Sequence, residues 1–150
     1  MSDVAITPAA PSDAAMIADL TGELGYEVTP GEIERRLTSI LGDPDHGVFV
    51  ARDGDDLVGV IHVGGVKRLE ACFFAELGGL VVSESVRRQG VGRRLVDAAL
   101  KWSRERGYQT LRVRTNVLRP EAPLFYESLG FTRVKDQMVF AQKIPPARRR

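Results

Sequence analysis

The segment from residue 80 to residue 93 combines residue types that bind phosphate groups. An apolar run, Leu80-Val81-Val82, is followed by Arg87-Arg88-Gln89-Gly90-Val91-Gly92-Arg93 and then by an amphipathic pattern. This order predicts a strand, a short loop and a helix. The first turn of a helix exposes unpaired backbone N–H groups, and glycines let an anion approach them without meeting a Cβ atom. The segment therefore predicts a phosphate site, with a tight turn bearing solvated arginines as the alternative.

The glycine spacing excludes two common phosphate-binding loops. The sequence Gly90-Val91-Gly92-Arg93-Arg94-Leu95 lacks the third glycine of the dinucleotide-binding fingerprint. No glycine-lysine pair is followed by serine or threonine, which excludes a P-loop. A phosphate-binding loop of another kind is therefore expected.

Two motifs, in this order along the chain, resemble the GNAT family of N-acetyltransferases. The first is Arg87-x-x-Gly90-x-Gly92 between a strand and a helix, which in that family cradles the pyrophosphate of acetyl-coenzyme A. The second is Ala-Pro-Leu-Phe-Tyr-Glu-Ser-Leu-Gly-Phe at residues 122–131, where Tyr126 takes the position of the family's tyrosine. The resemblance covers residues 4–143 and implies acetyl-coenzyme A as the acetyl donor, with no metal.

Around the second motif the chain departs from the family pattern. Arg119 stands where many members have an asparagine, and the asparagine of this chain is Asn116. The spacing of Arg119 and Ala122 before Phe125-Tyr126 is similar to the branch that includes aminoglycoside 6'-N-acetyltransferase-like enzymes, but Pro123 replaces a histidine that is frequent there. The resemblance therefore leaves the acceptor amine open among polyamines, amino sugars, amino acids and protein N-termini.

The mechanism that the resemblance implies is direct attack of a deprotonated amine on the acetyl thioester while both reactants are bound. The strand at residues 80–82 would present backbone groups to the pantetheine arm, and an N–H near Val82 would stabilise the oxyanion. Tyr126 would protonate the departing thiolate. The residues expected to contact the cofactor are Leu80, Val81, Val82, Arg87, Arg88, Gln89, Gly90, Val91, Gly92, Arg93 and Tyr126. The alternative function is a non-catalytic coenzyme A binding or sensing module, which the presence of Tyr126 disfavours.

An acceptor amine that arrives as an ammonium ion must lose a proton before it attacks. Glu76, on the same predicted strand as residues 80–82, is a candidate to take that proton directly or through water. A solvent-facing strand glutamate is the equal alternative. Tyr26 and Phe73 are the other expected substrate contacts, although Tyr26 could equally be a core anchor.

The elements that position these residues are predicted to form an α/β fold. The predicted order is β-α-α-β-β-β-α-β-α-β-β, which resembles the GNAT fold. We expect one N-acetyltransferase domain over residues 1–150, with a mixed central sheet of six to seven strands flanked by about four helices.

Local signals mark some of the boundaries of these elements. Thr29-Pro30-Gly31-Glu32 has the spacing of a capping box and predicts the start of the second helix. Gly78-Gly79 predicts a bulge or an opening in its strand. The last two strands are predicted at residues 131–134 and 138–142, and residues 144–150 are expected to form a flexible tail.

We assign neither histidine nor the cysteine to the reaction. His62 lies in an apolar hairpin strand, where a histidine is more often structural than a base, and His46 is expected in a loop. Cys72 has no evident paired histidine and is expected to be a packed or partly exposed strand residue.

Composition and charge exclude several classes of protein. The chain has 21 basic and 20 acidic residues, and because Arg148–Arg150 are three of the basic ones, the remainder has 18 basic against 20 acidic. A broad nucleic-acid-binding surface is therefore not expected. No apolar run approaches the length of a membrane span, and a single cysteine excludes an internal disulfide. We expect a cytoplasmic protein that acts on a small-molecule or peptide amine. The sequence does not decide whether the chain forms a homodimer.

Overall fold

The computed structural model describes residues 3–148, which divide into two compact units between residues 114 and 115. Within these described residues, the first unit holds one five-stranded sheet and three α-helices, and the second holds one α-helix. The strands are β1 (Val4–Pro8), β2 (His46–Asp53), β3 (Asp56–Val66), β4 (Phe74–Val82) and β5 (Leu111–Val113), and the helices are α1 (Ala14–Glu23), α2 (Pro30–Leu41), α3 (Val91–Glu105) and α4 (Glu121–Ser128). None of the helices described here is long and apolar enough to cross a bilayer.

The five strands lie side by side in chain order. Strands β1 to β4 pair antiparallel with their neighbours, and β5 runs parallel to β4. The hairpin between β2 and β3 turns between Asp53 and Asp56, with Gly54 in the left-handed region at a φ of 62°. The start of α2 is as predicted, because Thr29 Oγ1 accepts a hydrogen bond of 3.2 Å from the Glu32 N–H. The predicted order of elements is confirmed as far as α4.

Helices cover both faces of the sheet. Helices α1 and α2 pack on one face, and the buried members of that core are Ala14, Ile17, Leu20, Leu37, Val48, Val50 and Leu57. Helix α3 covers the opposite face with Leu95, Val96 and Ala99 fully buried. Gly59 permits this close approach, because a Cβ there would lie 2.8 Å from Leu95 Cδ1.

Strand β4 contains the predicted irregularity at its glycine pair. Gly79 lies opposite His62 of β3, and the next residue of β3 lies opposite Leu77. Gly78 is therefore the extra residue of a bulge. Strand β5 pairs only with residues 75–77 of β4. Among the described strands, the second half of β4 thus has β3 as its one neighbour.

The two strands predicted after α4 are not formed, so the sheet has five strands rather than the expected six or seven. Residues 129–148 contain neither helix nor strand. Within this segment Arg133, a residue of the predicted strand at 131–134, forms an ion pair of 2.5 Å with Asp136. A strand forms only where a neighbour accepts its backbone hydrogen bonds, and β-prone residue types do not specify that neighbour.

Two smaller expectations are also corrected. His46 does not lie in a loop but begins β2, where it pairs with Gly64 of β3. Cys72 is exposed and precedes β4. Of the predicted tail, residues 144–148 have no regular structure, while Arg149 and Arg150 lie outside the described residues.

A buried ion pair joins the start of α1 to β2. Asp13 Oδ2 accepts hydrogen bonds from Arg52 Nη2 at 2.6 Å and from the Ala10 N–H at 2.8 Å. The Asp13 side chain is only 6% exposed. Burial raises the pKa of this carboxyl, but the hydrogen bonds from Arg52 and Ala10 and the Arg52 charge lower the pKa by more, so that it lies below its ordinary value of 3.8. The carboxylate form is therefore stabilised by folding.

Replacing Asp13 with asparagine should lower the free energy of unfolding by about 2 kcal/mol at neutral pH, because Arg52 loses a charged partner. Since the folded pKa lies below 3.8, this stabilisation is present above that pH and is lost as the pH falls through the folded pKa. Urea unfolding at neutral pH and near pH 3 measures both effects, and the difference between variant and parent should shrink in acid. Asp19→Asn, exposed on α1, is the control. Equal urea midpoints for Asp13→Asn and the parent at neutral pH would show that the pair does not stabilise the fold.

Candidate active site

The loop between β4 and α3, residues 83–90, is fixed at its start by hydrogen bonds. The Ser83 N–H donates to a carbonyl of β3 at 2.8 Å. The Ser83 hydroxyl and the Glu84 N–H both donate to Glu23 Oε1 at the end of α1, at 2.9 Å and 3.2 Å. Residues 87–90 are exposed. The loop is therefore anchored at one end and open to a ligand at the other.

Two residues of this loop adopt left-handed backbone conformations. Gly90, the residue before α3, has a φ of 77°, and Arg88 has a φ of 66°. A Cβ at Gly90 would meet no atom within 4 Å. Backbone conformation, not packing, therefore favours glycine at this position. A left-handed arginine costs about 1–2 kcal/mol, and strain of this kind concentrates at binding sites.

The first turn of α3 brings backbone donors next to positive side chains. The N-cap residue of this helix is Gly90, which has no side chain to cap the helix. The first N–H groups of a helix have no partner within the helix and carry the positive end of its dipole. Arg87 and Arg88 are exposed beside them, whereas Arg94 donates to the Val4 carbonyl at 2.6 Å and ties α3 to β1. The arrangement suits a diphosphate group.

The second half of β4 presents backbone groups on its open side. Leu80 lies opposite Ile61, and Val82 lies opposite Gly59. In an antiparallel pair, alternate residues direct their N–H and C=O groups toward the partner strand and away from it. Residues 79–82 therefore carry backbone groups that point away from β3, on the side where β5 no longer pairs. An extended ligand chain can hydrogen-bond to such groups as an added strand does.

Glu76 lies on β4 just before the bulge. It pairs with Gly64, which lies opposite His46, so its side chain is on the face that α1 and α2 cover. Arg114 Nη2 donates to Glu76 Oε1 at 3.0 Å, and the Glu76 side chain is 19% exposed. Glu76 is therefore a half-buried carboxylate held by an arginine, not a freely solvated strand residue.

The other two predicted substrate contacts are exposed. Tyr26 follows α1 and is 48% exposed, so it is not a core anchor. Phe73 directly precedes β4 and is 53% exposed, with Lys67 Nζ at 5.9 Å from its ring centre. Their contact with a substrate stays a prediction.

Tyr126 belongs to the second unit, where it lies on α4. Its ring makes edge-to-face contacts with Phe125 and Phe131, with centroids 5.1 Å and 5.5 Å away. Burial raises the pKa of the Tyr126 phenol above its ordinary value of 10.0. The hydroxyl is therefore protonated at neutral pH and can donate a proton.

Sequence reasoning missed two features of the first unit. Glu23 has no local signal, because its partners Ser83 and Glu84 lie 60 and 61 residues away. His46 and His62 are in direct contact, with His46 Nδ1 at 3.0 Å from His62 Nε2. The alternation of a hairpin in the correct register could have placed both histidines on one face.

The family of the chain follows from its sequence. Residues 44–133 match the family described as an acetyltransferase (GNAT) domain. This match covers more than half of the chain, and the chain therefore belongs to the GNAT family of acetyltransferases.

Two characterised relatives are similar to this chain. N-acetyltransferase 8 of Rattus norvegicus is 30% identical over 106 residues, which are 67% of this chain but only 46% of the rat protein. The chain thus spans about half the length of that relative. Aminoglycoside N(6')-acetyltransferase type 1 of Serratia marcescens is 28% identical over 120 residues, which are 77% of this chain and 82% of the Serratia protein.

Solved structures have the same fold. A putative acetyltransferase from Agrobacterium tumefaciens superimposes with a TM-score of 0.81 at 25% identity, covering 92% of this chain and 99% of its own. The aminoglycoside acetyltransferase AAC(6')-Iy, in complex with the bisubstrate analogue CoA-S-monomethyl-acetylneamine, gives a TM-score of 0.84 at 17% identity, covering 95% of this chain and 100% of its own.

Proposed function

We propose that the protein is an acyl-CoA-dependent N-acetyltransferase that moves the acetyl group of acetyl-coenzyme A to a primary amine by direct attack in a ternary complex. The observation that carries this proposal is the loop before α3. It combines two left-handed residues, Arg88 and Gly90, a helix that begins at a glycine, and exposed arginines in the stretch that resembles the family's pyrophosphate loop. A non-catalytic coenzyme A module is the competing function.

In this proposal the donor is held along β4 and at the start of α3. The N–H groups at the start of α3, together with the arginines of the loop, bind the pyrophosphate. The open side of residues 80–82 bonds to the pantetheine arm, and an N–H near Val82 stabilises the oxyanion that forms on the thioester carbonyl. The side chains and backbone assigned to the donor are those of Leu80, Val81, Val82, Arg87, Arg88, Gln89, Gly90, Val91, Gly92, Arg93 and Tyr126.

The acceptor binds on the face of β4 that carries Glu76. A carboxylate that Arg114 holds in place attracts an ammonium group without having to be ordered first. Tyr26 and Phe73 are exposed and can contact the rest of the acceptor. We propose an amino sugar as the first acceptor class, because the Serratia relative is named an aminoglycoside N(6')-acetyltransferase and AAC(6')-Iy binds an acetylneamine analogue.

Transfer then takes place in two chemical steps. The neutral amine attacks the thioester carbonyl, which gives a tetrahedral intermediate with a negative oxygen and a positively charged nitrogen. The intermediate collapses with loss of the thiolate, and the nitrogen loses a proton, which restores the phenol of Tyr126 after that residue has protonated the sulfur. Tyr126 donates its phenolic proton to the sulfur as negative charge grows there. Because burial raises the pKa of Tyr126, the phenol is in its protonated form at neutral pH when the transfer begins.

Release of free thiol from acetyl-coenzyme A in the presence of a panel of amines tests this function. Amino sugars, polyamines, amino acids and peptide N-termini form the panel, and thiol release is followed by a colour reagent. Thiol release that depends on one amine class supports the transferase. Tight acetyl-coenzyme A binding with no release for any amine favours the non-catalytic module.

Gly90→Val should weaken acetyl-coenzyme A binding at least tenfold, because a side chain at this position meets the anion and the left-handed backbone is strained. Gly107→Val is a matched control, since Gly107 follows α3 with a φ of 81° and has nothing within 4 Å of a Cβ. Both variants should lose similar stability, of order 1–3 kcal/mol, but only Gly90→Val should change the dissociation constant measured by calorimetry. Parental affinity in Gly90→Val would remove the loop from the donor site.

Tyr126→Phe should lower kcat about 10²-fold, the low end for general acid catalysis because thiolates leave readily. The affinity for acetyl-coenzyme A should stay within twofold of the parent. Tyr108→Phe is the matched control: the Tyr108 hydroxyl donates to Asp45 Oδ1 and has a structural role, so this variant should lower the melting temperature and leave kcat unchanged. A Tyr126→Phe enzyme with parental kcat and a lowered melting temperature would contradict the general-acid role.

Glu76→Gln should raise the KM for the amine about tenfold, as expected for one lost charge-assisted contact of about 1.4 kcal/mol. The dissociation constant of acetyl-coenzyme A should not change. Glu105→Gln, exposed on α3, is the control for loss of one negative charge. Steady-state thiol release at varied amine concentration measures the effect, and a parental KM would return Glu76 to a purely structural role with Arg114.

A further inference from the structure

A contacting pair of histidines lies on the sheet face that α1 and α2 cover. His62 of β3 pairs with Val48, a member of the core beneath those helices. His46 Nδ1 is 3.0 Å from His62 Nε2, and the rings stack with centroids 5.2 Å apart at an angle of 30°. The sequence contains two histidines, so this contact includes both of them.

Two glycines make room for the rings. A Cβ at Gly64 would overlap the His46 ring, and a Cβ at Gly78 would overlap the His62 ring at Nδ1. Gly78 is the bulge residue of β4, directly after the last residue that pairs with β5. The Nδ1 edge of His62 therefore lies over the backbone at the point where β4 opens.

The position of Asp43 decides which ring nitrogen of each histidine we assign a proton. Asp43 Oδ2 lies 3.7 Å from His46 Nε2. A carboxylate favours a proton on the ring nitrogen that faces it, so His46 carries its proton on Nε2 and accepts at Nδ1. His62 then donates from Nε2, and its Nδ1 is left as an unprotonated base.

The surroundings keep His62 neutral. Burial, and then the positive charge of His46, lower the pKa of His62 below its ordinary value of 6.5. Other charged groups that face this region are Asp43 beside His46 and, on β4, Glu76 with its partner Arg114. From α1, Glu23 is bound to the loop at residues 83 and 84. At neutral pH the imidazole is thus in the form that can accept a proton.

We propose that His62 Nδ1 takes the proton that the acceptor ammonium must lose, a step that rests on the proposed acetyl transfer. The ammonium N–H bond breaks and an Nδ1–H bond forms, which leaves on the amine the electron pair that attacks the thioester carbonyl. Before the next turnover the proton leaves Nδ1 for solvent, which restores the neutral His62 with its remaining proton on Nε2. That proton stays hydrogen-bonded to His46 Nδ1, and Asp43 continues to orient His46. His46 is a positioning residue, and Glu76 on the same face holds the ammonium.

His62→Gln tests the proposal, because the glutamine amide can still donate to His46 but provides no base at the Nδ1 position. We expect the parent's kcat to rise with pH and to level off above the pKa of His62. In His62→Gln the plateau should be lost, because only amine that has deprotonated without the base can react: kcat should keep rising with pH, and near neutral pH it should fall about 10²-fold. The melting temperature and the affinity for acetyl-coenzyme A should stay close to those of the parent.

His46→Gln gives a second, distinct expectation. His46→Gln removes the residue whose charge, when it is protonated, lowers the pKa of His62, so the acid limb should remain but move to higher pH. If the two histidines had only a structural role, both variants would have a changed melting temperature, and the acid limb of the kcat–pH profile would stay where it is in the parent. A His62→Gln enzyme with the parental pH profile would overturn the proposal.

A nitrogen-15 NMR spectrum of the two imidazoles provides a readout that does not depend on turnover. We expect His62 to be neutral near pH 7 with its proton on Nε2, and a proton on Nδ1 would overturn the proposal. Absence of thiol release by the parent with every amine would overturn the proposed function, and this step with it. Turnover by the parent combined with an unchanged pH profile in His62→Gln would overturn this step alone.

Discussion

The bulge at Gly78 is the constraint on which the arrangement of this sheet depends. An extra residue in β4 shifts its register against β3, and the pairing of β4 with β5 stops at Leu77. Beyond that point the backbone of β4 keeps hydrogen-bonding capacity on one side that the sheet does not use. A β4 paired with β5 along its whole length would have no free edge for a ligand, so the donor site that we propose depends on the end of this pairing next to the bulge.

Absent side chains serve three different purposes along this part of the fold. At Gly59 the missing Cβ lets Leu95 of α3 approach the sheet, which fixes the helix whose first turn faces the proposed diphosphate. At Gly78 it leaves space for the His62 ring. At Gly90 the backbone adopts a conformation that other residues reach only with strain. Gly59 and Gly78 are required by packing against residues distant in the chain, whereas Gly90 is required by its own backbone conformation.

That distinction explains what could be predicted from the sequence. The N-cap at Thr29, the β2–β3 turn, the bulge and the strand-loop-helix order around Gly90 are encoded by neighbours in the chain, and the structure has them all. The pair Glu23–Ser83 joins residues 60 positions apart, and no local pattern specifies it. The contact of His46 with His62 depends on the exact register of the β2–β3 hairpin, which the turn alone does not state. The expected strands after α4 failed for the same reason, because β-propensity does not identify a partner.

The charges of the proposed site are separated along one strand. Glu76 lies before the bulge, and the arginine loop follows Val82 at the other end of β4. Six residues of extended chain span about 20 Å, and two unit charges at that distance interact by only about 0.2 kcal/mol in water. Salt screens even this remainder. In the transfer that we propose, a cationic acceptor and an anionic donor can therefore each be attracted to its own end of β4 without the carboxylate weakening the hold on the phosphates.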